Sequence, residues 1–343
     1  MRIATYNVEW FNNLFDDDGN LLEDDGPSGR EGVSRAEQLT ALGIVFTAMN
    51  ADAVLVVEAP DTNGRRSTVN ALENFAAKYG LRARRALAGF PNETQQEIAL
   101  LYDPDLARAR HDPIGPPTGK KGLFGAPRFD GVFRLESSEK DLPKTVSFSK
   151  PPLEVSFEMK NGHVIRLMGV HVKSKAPIGA RSKAEIISTS IDNRRKQLAQ
   201  CIWIRQRIEE HLDAGESMIV LGDLNDGPGL DEYEKLFGQS CVELIMGDGE
   251  GKRLYDPHAR MALSQRVGAV PVTSRFFLAE QDRYIQALLD YVLLSRDLMR
   301  FGPRWRIWHP FDDSQCYQIE ELREALLTAS DHFPVSVDLD LSP

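Results

Sequence analysis

Two short, wholly apolar runs that each end on a carboxylate constrain this chain most. Ala53-Val54-Leu55-Val56-Val57 stops at Glu58, and Met218-Ile219-Val220-Leu221 stops at Gly222-Asp223. Short runs of β-branched and aliphatic residues read as strands, and continuous apolarity places a strand inside a sheet that is covered on both faces. A lone charge at the end of such a strand is expensive to bury unless a partner, such as a metal ion, balances it.

The same arrangement recurs along the chain. Arg2–Tyr6 reads as a strand ending at Asn7, and Val164–His171 as one ending at His171. Asp290 opens Tyr291-Val292-Leu293-Leu294 within a strand expected over Ala287–Leu294, and Ser330-Asp331-His332 precedes a strand expected over Phe333–Leu341. Alternation along Asp223-Leu224-Asn225 points Asp223 and Asn225 the same way. A single strand-end Asp is usually a turn-former or cap, and a single His is usually structural. As a set, these residues offer oxygen ligands without a thiolate pair or a His-x-x-x-His, which suits a hard cation.

Helical signals fall between the strands. Ser34 with Glu37 makes a capping box for a helix running to about Met49. A second helix is expected over Ser67–Tyr79, stopping at Gly80, a third over Asp192–His211, and a last one near Ile319–Leu327. Glu97–Tyr102 and Arg304–Trp308 read as further strands, and Asn161-Gly162 joins Leu153–Met159 to Val164–His171 as a hairpin. The pattern predicts an α/β chain with antiparallel-rich sheets and helices outside them, residues 1–343 forming one unit. The stretch Asp103–Pro152 has poor periodicity and reads as a long loop, either functional or simply solvated. Its Lys120, Lys121 and Arg128 are candidates to touch an anion.

The net charge of -10 argues against a protein that coats nucleic acid electrostatically, though not against a nuclease. Part of the acidic excess lies in Asp16–Asp25; a calcium loop beginning at Asp16 would need glycine where Leu21 stands and glutamate where Pro27 stands, so that stretch reads as solvated. Cys201, Cys241 and Cys316 are too few and too far apart for a disulfide framework or zinc cluster, and Cys201 reads as a buried inert thiol. No apolar run approaches the ~20 residues of a membrane span, and the N-terminus enters a strand at once, which suggests a cytoplasmic protein.

The motif order resembles the endonuclease/exonuclease/phosphatase superfamily, which includes deoxyribonuclease I-like and exonuclease III-like enzymes. Ala4-Thr5-Tyr6-Asn7-Val8 resembles its opening Asn motif, and Val57-Glu58 its Glu motif with Val in place of the usual Gln. Gly222-Asp223-Leu224-Asn225, Leu289-Asp290-Tyr291-Val292-Leu293 and Ser330-Asp331-His332-Phe333-Pro334-Val335 resemble its three later motifs. His171-Val172-Lys173-Ser174-Lys175, followed by Arg194 and Gln197, is similar to a segment of bacterial extracellular-nuclease-like members. Lys150 stands before Pro151-Pro152 where those relatives often carry Arg.

The resemblance implies a four-layer α/β/β/α sandwich and a divalent-metal phosphoesterase, with nucleic acid as the expected substrate and partner. It implies Asn7, Glu58 and Asp331 as ligands of Mg²⁺ or Mn²⁺, with Ca²⁺ a third candidate. His171, Asp223, Asn225, Asp290 and His332 are the implied catalytic residues, with either His332 or Asp223 as base. Lys173 and Arg194 are implied phosphate contacts, within a basic concentration that includes Lys175, Arg181, Lys183, Arg195 and Lys196. Two other readings stay open: a phosphoesterase for a lipid, inositol or other small molecule, and a catalytically inactive binding scaffold.

Overall fold

A computed structural model describes residues 1–92, 94–136, 142–177, 179–227, 237–249, 251–264, 270–278 and 282–341. The strands are β1 (Arg2–Asn7), β2 (Ala53–Ala59), β3 (Arg85–Ala88), β4 (Glu97–Tyr102), β5 (Ala107–His111), β6 (Phe133–Arg134), β7 (Thr145–Val146), β8 (Leu153–Met159), β9 (Val164–His171), β10 (Met218–Asp223), β11 (Ser274–Leu278), β12 (Arg283–Ala287), β13 (Asp290–Leu294), β14 (Arg304–Ile307) and β15 (Val335–Asp338). Eleven of them build two sheets, ordered β14-β15-β1-β2-β4-β3 and β13-β10-β9-β8-β5. The two small ladders β6-β7 and β11-β12 stand apart.

The apolarity of β2 up to Glu58 follows from its place between two packed layers. Leu55 and Val57 face the layer between the sheets with Ile98, Val155, Leu167, Leu221 and Val292. Val54 and Val56 face the other way, into a layer with Leu42, Phe46, Phe75 and Leu326. Those partners come from helices α1 (Arg35–Met49), α2 (Thr68–Lys78) and Glu320–Ala329. On the far side, Met168, Val220 and Leu293 pack against Trp203, Ile204 and Ile208 of α3 (Lys183–Asp213). Two sheets back to back with helices outside each make the expected four-layer sandwich. Gly169 permits the close approach of the sheets, because a Cβ there would collide with the Leu55 side chain.

Two expectations are corrected. Cys201 is not an inert thiol: it forms a disulfide with Cys241, Cα–Cα 5.7 Å, tying α3 to the short helix Cys241–Met246. The stretch Asp103–Pro152 is not one solvated loop. It contributes edge strand β5, and its Phe129 and Phe133 are buried against Trp203, whose indole N–H donates to Pro127 O at 2.9 Å. Buried Arg207 pairs with Glu154 at 2.9 Å and donates to the carbonyls of Ile114 and Pro127, pinning the same segment. Residues 137–141 of that stretch lie outside the described residues. Lys120 and Lys121 are exposed, and Arg128 is paired with Asp130 at 2.7 Å.

Candidate active site

Strand register gathers the polar residues. In the five-stranded sheet Asp223 sits opposite His171 on one side and opposite Asp290 on the other, so three functional groups form one row across β9, β10 and β13. In the six-stranded sheet β1 and β2 run parallel with Asn7 opposite Val57, which brings Asn7 beside Glu58. The β2–β4 ladder slips between Val57 and Ala59, and Glu58 at the slip has φ 61°. A bulge re-aims a side chain, and a non-glycine residue held in the left-handed region is a recurrent mark of functional sites.

Asn225 repeats that signature with φ 47°. Its backbone N–H donates to Asp223 Oδ1 at 2.7 Å and its amide to Asp223 Oδ2 at 3.2 Å and Val172 O at 3.1 Å. Gly222 is required here, since at φ 133° a Cβ would strike the Val170 carbonyl. Ser330 clamps the last motif to the first: its hydroxyl donates to Asn7 O at 2.8 Å and accepts from His332 N–H at 3.1 Å.

The two sheets meet at this edge. Asn7 Nδ2 donates to Asp223 Oδ2 at 3.1 Å, and His332 Nδ1 lies 2.7 Å from Asp290 Oδ2. His171 Nε2 is 3.7 Å from Asp223 Oδ2, and His332 Nε2 is 3.9 Å from Asp331 Oδ1. All eight expected catalytic and metal-site residues therefore converge from both sheets onto one edge.

Burial disfavours a charged His332, but Asp290, Asp331 and Asp223 outweigh it and hold its pKa well above the usual value. His171 goes the opposite way, lowered by burial and by the nearby cations Lys150 and His332. Lys150 Nζ lies 3.3 Å from His171 Nδ1, so the ammonium donates there and the ring's proton belongs on Nε2, facing Asp223. Burial lowers the Lys150 pKa even with Glu58 and Asp223 nearby, and it raises those of Glu58 and Asp223. The Lys150 ammonium thus points into the same space as the carboxylates.

The donor set fits a hard cation. Asn7 Nδ2 is committed to Asp223, which fixes the amide orientation, and the buried Oδ1 has no hydrogen-bond donor. Glu58 lies within electrostatic reach of Asp331 and its side chain interacts with Asn7, which makes the three candidate oxygen donors to one ion. Asp223, Asp290 and His332 also present atoms within 4.8 Å of one another. A cation held by that trio would displace the His332–Asp290 bond and compete with two amide donors on Asp223, so the trio is better described by its hydrogen bonds.

Arg194, expected as a phosphate contact, lies in the interior. It is 1% exposed and paired at 3.3 Å with Asp226, which also holds Lys175 and accepts from the Cys241 backbone N–H at 2.7 Å. Much of the apparent basic concentration is thereby consumed, since Arg195 also pairs with Asp192. Lys173 is half-buried, with its pKa lowered by burial and by Lys196. Gln197, fully buried, donates to Asn225 O at 2.9 Å and supports the motif from behind.

Sequence reasoning missed several supports: Asp226, Gln96 donating to Glu58, and Thr273, whose hydroxyl accepts the N–H groups of Leu289 and Asp290. Asp226 directly follows Asn225 and was legible as a neighbour of the motif. Gln96 and Thr273 carry no pattern that distinguishes them.

The sequence profile described as "Endonuclease/Exonuclease/phosphatase family" matches residues 4–332. The chain belongs to this family. Enzymes of the endonuclease/exonuclease/phosphatase family are metal-dependent phosphoester hydrolases, and so is this one. None of the curated proteins matches the chain in sequence. Among solved structures, truncated TDP2 from Caenorhabditis elegans aligns at 13% identity and TM-score 0.51, over 98% of this chain and 96% of its own. A humanized TDP2 of D. rerio aligns at 12% and 0.52, over 98% and 97%. A Bacteroides thetaiotaomicron protein titled as an endonuclease/exonuclease/phosphatase family protein aligns at 13% and 0.51, over 98% and 96%. At these identities the likeness is one of fold. No helix among the described residues is long and apolar enough to cross a membrane.

Proposed function

We propose that this hydrolase is a nuclease that cleaves phosphodiester bonds of DNA or RNA, with residues 1–343 acting as one catalytic unit. The observation that carries the reading is the 2.7 Å contact of His332 with Asp290, set among Asn7, Glu58, Asp223 and Asp331. A phosphodiester is anionic and its alkoxide leaves poorly, so a site must supply positive charge, a base and an oriented water.

Asn7, Glu58 and Asp331 would hold Mg²⁺ or Mn²⁺, which supplies charge neutralisation and Lewis acidity when bound. His332 in its neutral form takes a proton from water at Nε2, and Asp290 fixes the tautomer and stabilises the resulting imidazolium. Asp223 and Asn225 orient the nucleophile and the phosphate. His171, kept neutral, donates from Nε2 to a phosphate oxygen, while Lys150 adds the cation that Arg194 does not. Lys173 is left as a phosphate contact at the margin.

The Cys201–Cys241 disulfide favours an oxidising compartment over the expected cytoplasm.

The test is hydrolysis of single- and double-stranded DNA, RNA and a phosphomonoester with Mg²⁺ or Mn²⁺, with and without EDTA, and with His332→Ala as control. Metal-dependent polynucleotide cleavage that disappears in the variant and weakens steeply with salt supports the nuclease reading. Turnover of the monoester alone would overturn it.

A further inference from the structure

The ladder β11-β12 lies outside the residues used above, yet it is built onto the catalytic motif. Arg275 N–H donates to Asp331 O at 2.7 Å, and Phe333 N–H donates to Thr273 O at 2.6 Å. Ser274 forms a bridge with His332, and the Phe276 ring stands edge-on to the His332 ring with centroids 5.7 Å apart. The ladder is therefore positioned by the backbone on either side of the proposed base.

Its other face is unusual for a surface. Phe277 and Tyr284, paired across the two strands, are 44% and 54% exposed with ring centroids 5.1 Å apart. The Arg275 guanidinium lies 4.0 Å from the Tyr284 ring centroid. Scattered exposed aromatics are ordinary. These two rings instead line, with Arg275, Arg30, Glu9 and Asp331, one cleft of about 560 Å³. The cleft shares Asp331 with the proposed metal site, and its volume falls in the range of about 300–1,000 Å³ typical of small-ligand sites.

We propose that this cleft is a subsite for an unstacked nucleobase next to the scissile phosphate, so that the enzyme prefers single-stranded or frayed polynucleotide. The proposal rests on the nuclease reading and deepens it. Aromatic faces stack on any base, and a cation held over such a face adds affinity for the base and its phosphate. A base inside an intact duplex offers no free face to Phe277 or Tyr284, and extrusion costs a few kcal/mol. The ladder's attachment to Asp331 and His332 fixes the platform relative to the reacting phosphate, which a surface for an unrelated partner would not need.

The experiment compares KM for a thymidylate oligomer with KM for an oligomer of equal length built from tetrahydrofuran abasic units. The unaltered protein is expected to favour the thymidylate oligomer by about 5- to 100-fold, as one stacked base would confer. Phe277→Ala with Tyr284→Ala is expected to bring that ratio towards one, and Phe277→Trp to retain it. Equal KM for the two oligomers in the unaltered protein, or a ratio that survives the double substitution, would overturn the subsite and leave the nuclease reading intact. Failure to cleave either oligomer, together with no cleavage of DNA or RNA in the hydrolysis test above, would overturn the nuclease reading itself. Loss of binding to phosphatidylglycerol vesicles in the double variant, with its oligomer ratio unaltered, would overturn the subsite in favour of a lipid surface.

Discussion

His332 and Asp290 meet at 2.7 Å although they belong to different sheets, Asp290 opening β13 and His332 leading into β15. The contact bridges the two sheets at the edge where the site lies, so the geometry of the proposed base depends on how the sheets pack. It also sets the proton affinity of His332, whose pKa stands well above the usual value because Asp290, Asp331 and Asp223 together overcome its burial.

Asp290→Asn keeps the shape and removes the charge. His332 then loses its proton at lower pH, so the rising acid limb of the pH–rate profile moves to lower pH. The maximal rate is expected to fall on the order of 10²- to 10⁴-fold, the usual range for an impaired base. The measurement is kcat/KM against pH for both proteins; an unmoved acid limb would show that His332 is not the group titrating.

Glu58 gives a prediction in which stability and metal affinity separate. Burial raises its pKa, so the metal-free protein carries an expensive carboxylate, held partly by Lys150, His332 and Gln96. Glu58→Gln removes that cost, and the metal-free melting temperature is expected to hold or rise. The stabilisation by Mg²⁺ or Mn²⁺, worth about 2.7 kcal/mol at a hundredfold excess over Kd in the unaltered protein, should largely vanish. Calorimetry with each ion checks it, and unaltered Mn²⁺ affinity in the variant would remove Glu58 from the ligand set.

Glu58 and Asp223 were readable because chemistry and strand pattern coincide in them. Each breaks an apolar run, and a break of that kind shows in one dimension. What orients them does not. The left-handed backbone of Glu58 arises from a slip between β2 and β4, which depends on pairing between residues some forty positions apart. Arg194 looks like a phosphate contact until Asp226 is seen beside it. Strand β5 is disguised because an edge strand reading Ala-Arg-Ala-Arg-His lacks the apolarity that marks β2. Phe129 and Phe133 look like loop residues because their partner Trp203 lies on a helix far along the chain.

The Cys201–Cys241 disulfide is of the same kind, invisible in spacing and decided by where two helices dock. It closes a loop across a sequence separation of 40. Loop-closure entropy for that length amounts to about 4 kcal/mol, and typical measured values are about 2–4 kcal/mol. Urea unfolding with and without dithiothreitol, alongside Cys201→Ser with Cys241→Ser, should show a loss of that size. An unchanged midpoint on reduction would show that the two sulfurs are not bonded in solution.

Glu97 predicts how stability varies with pH. It begins β4 and is 5% exposed; Asn92 donates to its Oε2 at 2.6 Å, and burial, the dominant cause, pushes its pKa up to about 7. In the unfolded chain the same carboxyl titrates near its ordinary value of 4.5. The folded state thus holds this proton more tightly, and the associated stability is fully present below about pH 4.5 and lost as pH rises through about 7. Glu97→Gln keeps the amide-sized shape without the ionisation, so it should stabilise the protein at pH 8 by roughly 1–3 kcal/mol and have little effect at pH 4.5. Unfolding free energies of both proteins measured from pH 4.5 to 8 give the answer. A difference that does not grow with pH would mean that Glu97 is not the group whose ionisation opposes folding.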